Sequence, residues 1–66
     1  MDKDDIHSIL EFNHWTHADL ARYLLVSESA VSRWVTGKRK PALYDHVRAL
    51  RILLARVEKH RKAVKA

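Results

Sequence analysis

The only glycine and the only proline of this chain, Gly37 and Pro41, fall within one short segment. Nothing else in the sequence is a strong backbone breaker, so the flanks on either side are free to be helical and lack the turn residues that a sheet needs. The apolar spacing agrees. Leu20, Ala21 and Leu24 recur at helical intervals, and so do Val31, Trp34 and Val35. The expected fold class is all-α, with segment 37–41 as a joint.

The stretch before that joint carries the densest local signals. Thr16 can cap a helix, and Asp19 stands three residues on, the spacing of a capping box with Asp in place of Glu. Val26 closes this segment. Ser27 is the next capping candidate, and Glu28 behind it favours a helix N-terminus through the helix dipole. In the second segment Val31, Trp34 and Val35 share one side, while Ser29, Ser32, Arg33 and Thr36 share the other. Gly37 supplies the stop. Lys38, Arg39 and Lys40 follow at once. A short helix that buries an apolar side and shows small polar residues and an arginine fits a DNA major groove, and a basic loop beside it fits phosphates.

These residues resemble the Cro/cI-type (XRE-like) helix-turn-helix of phage and bacterial repressors. The likeness covers about 26 residues, from the Thr16 cap through the Leu20-Ala21 pair, the Val26-Ser27 joint and the VSRW core to the GKRKP exit. One position departs from the pattern: where the family usually has glycine at the joint, this chain has Leu25. Leucine there must either accept the strain of a left-handed backbone or let the turn open differently. The resemblance implies that Glu28, Ser29 and Arg33 read bases, with Ser32 beside them. Arginine can bind guanine with two hydrogen bonds, and a carboxylate can accept from the cytosine amino group. The ordinary role of Glu28 is to stabilise the helix dipole. The resemblance also places Thr16 and His17, at the start of the first motif helix, on the DNA backbone, where free N–H groups bind phosphate. Lys38, Arg39 and Lys40 are further phosphate candidates; the plain reading of at least one of them is a solvated loop.

Size and charge fit this reading. Sixty-six residues make one small domain (1–66), with little surface to bury and no cysteine to brace it. Helix packing or self-association must then supply stability. Residues 1–32 carry two cations against six carboxylates, a net −4, whereas residues 33–66 carry eleven against two, a net +9. That asymmetry fits a polyanion approached from one side, although a solvated basic helix would look the same. No apolar run nears the ~18 residues of a membrane span. The acidic start, MDKDDIHSIL, is unlike a signal or transit peptide, so a cytoplasmic or nucleoid protein is expected.

Taken in order, residues 1–3 are expected to fray, with Asp4 or Asp5 capping a first helix whose inner face is Ile6, Ile9, Leu10 and Asn13. Phe12 falls on its flank. Residues 13–15 form a joint, and Trp15 is expected in the core, where the family has an aliphatic residue. The motif occupies about 16–36 and the basic loop 37–41. Pro41 suits a first helical turn, so a fourth helix is expected over about 42–62. Leu43, Val47, Leu50, Leu54 and Val57 repeat with near-heptad spacing, Ala49 and Leu53 widen the stripe, and Val64 resumes it after Arg61. The family's smaller members break this region into two helices; no break is visible here. A helix of 20 residues spans ~30 Å, longer than a three-helix domain this small can cover. Its second half is therefore expected to project, with Leu53, Leu54 and Val57 free for dimerisation.

Other chemistries find little support. The five histidines lack metal-ligand spacing: His14 and His17 straddle a helix cap, and His7, His46 and His60 are scattered. Ser27, Ser29 and Ser32 have no nucleophile-elbow glycines around them, and one glycine cannot build a phosphate-cradling loop. No enzyme activity, metal, cofactor or small-molecule ligand is expected. The expected function is sequence-specific binding of double-stranded DNA by a homodimer, as a transcriptional regulator. Repression by covering a promoter is favoured, because the chain leaves no room for an activation domain. The resemblance implies phage or prophage origin, or the DNA-binding part of a toxin–antitoxin pair. Two alternatives use the same helices: an antitoxin-like protein-interaction module, and an architectural or excision factor that bends DNA.

Overall fold

The computed structural model describes residues 1–65, with side chains through Ala63. These residues form four helices and no strand: α1 Lys3–Asn13, α2 His17–Leu24, α3 Glu28–Thr36 and α4 Tyr44–Lys65. Each helix contributes three buried side chains to one core: Ile6, Ile9 and Leu10; Leu20, Ala21 and Leu24; Val31, Trp34 and Val35; Leu50, Leu53 and Val57. The apolar periodicity of the first three helices points where the sequence said it would.

The helix starts follow from short polar side chains. Thr16 Oγ1 accepts from Asp19 N at 3.2 Å, and Asp19 Oδ2 accepts from Thr16 N at 2.9 Å, the reciprocal box that the spacing predicts. Ser27 Oγ accepts from Ala30 N at 3.1 Å, so Ser27 caps α3. The start of α1 differs from expectation. Asp2, not Asp4 or Asp5, is its cap: Asp2 Oδ1 takes Asp5 N at 3.1 Å and Asp5 Oδ2 takes Asp2 N at 3.2 Å. A capping box needs an acceptor three residues on, and Asp2 has Asp5 there, whereas Asp4 and Asp5 have His7 and Ser8. Residues 2 and 3 are thereby ordered rather than frayed.

The helix ends share one device. His14 (φ 55°), Leu25 (φ 58°) and Gly37 (φ 80°) each take the left-handed conformation just after α1, α2 and α3. After α1, Trp15 N donates to Leu10 O at 2.9 Å, and after α2, Val26 N donates to Ala21 O at 2.9 Å, which closes both ends as Schellman turns. Leu25 therefore keeps the turn geometry that glycine would give and accepts the strain. It is also 91% exposed, so its side chain gains almost no packing in return. An L-residue in this conformation costs ~1–2 kcal/mol, and glycine's extra chain entropy offsets about half of that. Leu25→Gly is expected to raise stability by roughly 0.5–1 kcal/mol, a shift of a few degrees in a thermal melt. An unchanged or lower melting temperature would mean that Leu25 is not strained.

The C-terminal helix departs most from expectation. It begins at Tyr44, and Pro41 lies before it; Leu43 O accepts the first helical bond, from Val47 N at 3.0 Å. Residues 41–43 instead carry the chain from the end of α3 to the start of α4, with Pro41 half-buried. At 1.5 Å per residue a 22-residue helix is ~33 Å long, and the whole molecule is 37 Å along its longest axis. The second half of α4 does not project bare. Alpha-1 packs on both α3 and α4. Phe12 meets His60 edge to face at 5.2 Å, and Arg61 Nη2 donates to Ser8 Oγ at 3.0 Å. Leu53 and Val57 are 3% and 2% exposed within the single chain. They are core residues, which corrects their assignment to dimerisation. Leu54 is half-buried against the same core. The reason is that α1 lies along α4 instead of serving only the motif helices. Val64 lies outside the described side chains.

Candidate nucleic-acid interface

Alpha-3 is held in place by its inner face. Val31 is fully buried, Trp34 and Val35 nearly so, and Trp34 stands 6.0 Å from the His46 ring on α4. His7 Nε2 on α1 donates to the Val35 carbonyl at 3.1 Å, fixing the last turn of α3. A cap at one end and a glycine stop at the other leave the helix little freedom to shift.

That anchoring decides which side chains face outward. Glu28, Ser29 and Arg33 are exposed, as the sequence expectation requires of base-reading residues, whereas Ser32 is half-buried. Thr36 shares the exposed side, but its hydroxyl donates to the carbonyls of Ser32 and Arg33 at 3.1 and 3.2 Å. Lys38, Arg39 and Lys40 are exposed in the loop beyond Gly37. Arg33, Arg39 and Lys40 line one groove of about 210 Å³ together with Trp34, Leu43 and His46. The groove-facing arginine and two of the three loop cations thus share one surface.

The start of α2 is more constrained than the sequence suggested. The capping box already uses the N–H groups of Thr16 and Asp19, which leaves those of His17 and Ala18 for an outside acceptor. His17 is half-buried and Thr16 is exposed. The Asp19 carboxylate sits at the same helix end and pairs with Arg22 at 2.6 Å. The backbone hydrogen bond from Thr16, then the Arg22 guanidinium and the Thr16 hydroxyl, hold its carboxyl below the usual value of 3.8. A carboxylate whose acidity is raised by folding contributes stability above its ordinary titration range, and that contribution is lost as pH falls through the lowered value. Asp19→Asn is therefore expected to melt lower than the parent at neutral pH, with the two curves converging as the solution is acidified below pH ~4. A constant gap down to strongly acidic pH would mean that the charge on Asp19 is irrelevant.

Lys3 belongs to this region, and reasoning from sequence passed over it. Residues 1–3 were expected to fray, yet Lys3 lines a second cleft with Arg39 and Lys40. No local pattern marks it: what brings Lys3 here is its stem lying against Gly37 in the fold. Trp15, expected in the core, is half-buried and leans on Tyr23 with ring centres 5.2 Å apart. Among the described residues no group of three or more His, Cys, Asp or Glu could hold a metal ion, and no helix is long and apolar enough to cross a membrane.

A family model described as helix-turn-helix matches residues 6–45, from the first buried residue of α1 to the first turn of α4. No curated protein and no solved structure gives a significant match to the chain.

Proposed function

The chain belongs to the Cro/cI-type helix-turn-helix family of DNA-binding regulators, and from that premise we propose that it is a sequence-specific repressor binding an inverted-repeat operator as a homodimer. The observation that carries this reading is the division of α3. Val31, Trp34 and Val35 fix the helix from within, Glu28, Ser29 and Arg33 are left uncovered, and Arg33 shares a groove with Arg39 and Lys40 of the basic loop. In the proposed complex α3 lies in the major groove, where Arg33 bonds guanine and Glu28 and Ser29 meet neighbouring base edges. Ser32, half-buried, makes a lesser contact. Lys38, Arg39 and Lys40 hold phosphates, and the two free N–H groups at the start of α2 hold another beside Thr16 and His17. Repression follows from occupying promoter DNA, in the cytoplasm or nucleoid of a bacterial host.

Dimerisation is proposed on the flank of α4 that α1 leaves open. Val47 and Leu54 are half-buried there, about two turns apart on one side of α4, and Leu43, in the connection just before the helix, is 65% exposed. Two copies meeting on such a flank would be related by a two-fold axis, as an inverted repeat requires.

Salt titration separates this function from a protein-docking role for the same helices. Duplex affinity that falls steeply and linearly with salt on logarithmic axes is expected for several phosphate contacts. A duplex affinity absent at low salt would remove the DNA reading.

A further inference from the structure

The first turn of α1 and the loop after α3 are far apart in sequence and adjacent in space. Lys3 is the only lysine of the acidic N-terminal part of the chain, and the fold lays its stem across Gly37. A Cβ added at Gly37 would stand 3.4 Å from Lys3 Cδ. Beside this contact opens a cleft of about 280 Å³, walled by Trp34 and Pro41 and lined by Lys3, Arg39 and Lys40. Among the described residues none of these three cations makes an ion pair.

Three like charges gathered around one cleft repel one another, and the repulsion becomes attraction when an anion enters. The Asp2 carboxylate also lines the cleft and accepts from Asp5 N at 3.1 Å as the cap of α1, so the three cations face one carboxylate and remain in excess. Arg39 and Lys40 line both this cleft and the groove that holds Arg33. The cleft is therefore continuous with the face assigned to DNA, and a duplex lying along α3 would bring its backbone to the cleft mouth.

We propose that a backbone phosphate of bound duplex DNA seats in the cleft between the first turn of α1 and the 37–41 loop, held by Lys3 with Arg39 and Lys40. This rests on the DNA-binding reading above and extends it to α1. Lysine supplies a compact charge with three donors and arginine a planar fork, a combination suited to a phosphodiester oxygen pair. Asp2 and Asp5 gain a second consequence: by ordering the first turn of α1 they hold Lys3 against the loop.

The experiment is a salt titration on a random-sequence duplex, comparing the parent with Lys3→Gln, Lys3→Arg, Arg39→Ala and Lys59→Gln, after thermal melts establish that each is folded. Lys59 is exposed on α4 and serves as a charge-matched control. Lys3→Gln and Arg39→Ala are each expected to flatten the logarithmic salt slope by about 0.9 unit, so that between 50 and 200 mM salt the parent loses about threefold more affinity than either. Lys3→Arg should keep the parental slope, and so should Lys59→Gln. A parental slope for Lys3→Gln beside a flattened Arg39→Ala overturns the Lys3 site and leaves DNA binding standing. Equal flattening by Lys59→Gln also overturns it, since any cation would then do. A parent protein with no salt-dependent duplex binding overturns both.

Discussion

Val57→Asp should abolish the fold. Val57 is 2% exposed and packs into the core that α4 shares with α1. The substitution removes an apolar side chain and places a carboxylate in that core, and Arg61, which lines one pocket with Val57, already donates to Ser8 Oγ. An unpaired carboxylate in such a place costs several kcal/mol even when it is protonated instead. A domain of this size has only about 3–10 kcal/mol in total. Far-ultraviolet circular dichroism should show most of the helix signal lost and no cooperative melt. Lys59→Asp, on the exposed side of the same helix, should melt nearly as the parent does. The two readings of α4 part here. If Val57→Asp instead gave a folded monomer from a dimeric parent, Val57 would belong to an interface between copies and the packing of α1 on α4 would be wrong.

Arg33→Ala carries the second large effect, on recognition instead of folding. Arg33 is exposed on α3, so its loss leaves the core intact. On the operator its guanidinium is assigned two hydrogen bonds to guanine, and losing them is expected to cost roughly 1–3 kcal/mol, about five- to 150-fold in affinity. On random duplex the loss should be small. The measurement is a titration of parent and variant on operator and on a scrambled duplex of equal length. An equal loss on both would make Arg33 a phosphate contact and move the recognition face elsewhere on α3.

The sequence made the motif legible because its signals are local. A cap three residues from its partner, an apolar face repeating at helical spacing and a glycine stop all act within one or two turns. Thr16, Asp19, Ser27, Val31, Trp34 and Gly37 accordingly stand where their spacing put them. What was not legible depends on which helices meet. The stripe on α4 was visible, but nothing in it says that α1 would cover Leu53 and Val57. A long stripe with a missing partner reads the same as one meant for a second copy. Lys3 was missed for a similar reason: its role comes from lying against Gly37, which no local pattern encodes. Leu25 is a different case. The sequence offered two outcomes, and the turn took the strained one because the bonds from Leu25 N and Val26 N close the end of α2. Glu28, Ser29 and Arg33 were legible as an exposed set only because the buried set on α3 was, whereas Ser32, expected with them, is half-buried.

The most direct measurement is selection of the protein on a pool of random duplexes, followed by sequencing of the retained fraction. The expected result is an enriched inverted repeat whose half-sites lie about one helical turn, ~10 bp, apart. Repeating the selection with Arg33→Ala should relax one or two positions in each half-site and leave the spacing unchanged. A pool that stays random although the protein binds it with a steep salt dependence would contradict sequence-specific recognition by α3. A pool that is not retained at any salt concentration would contradict DNA binding itself.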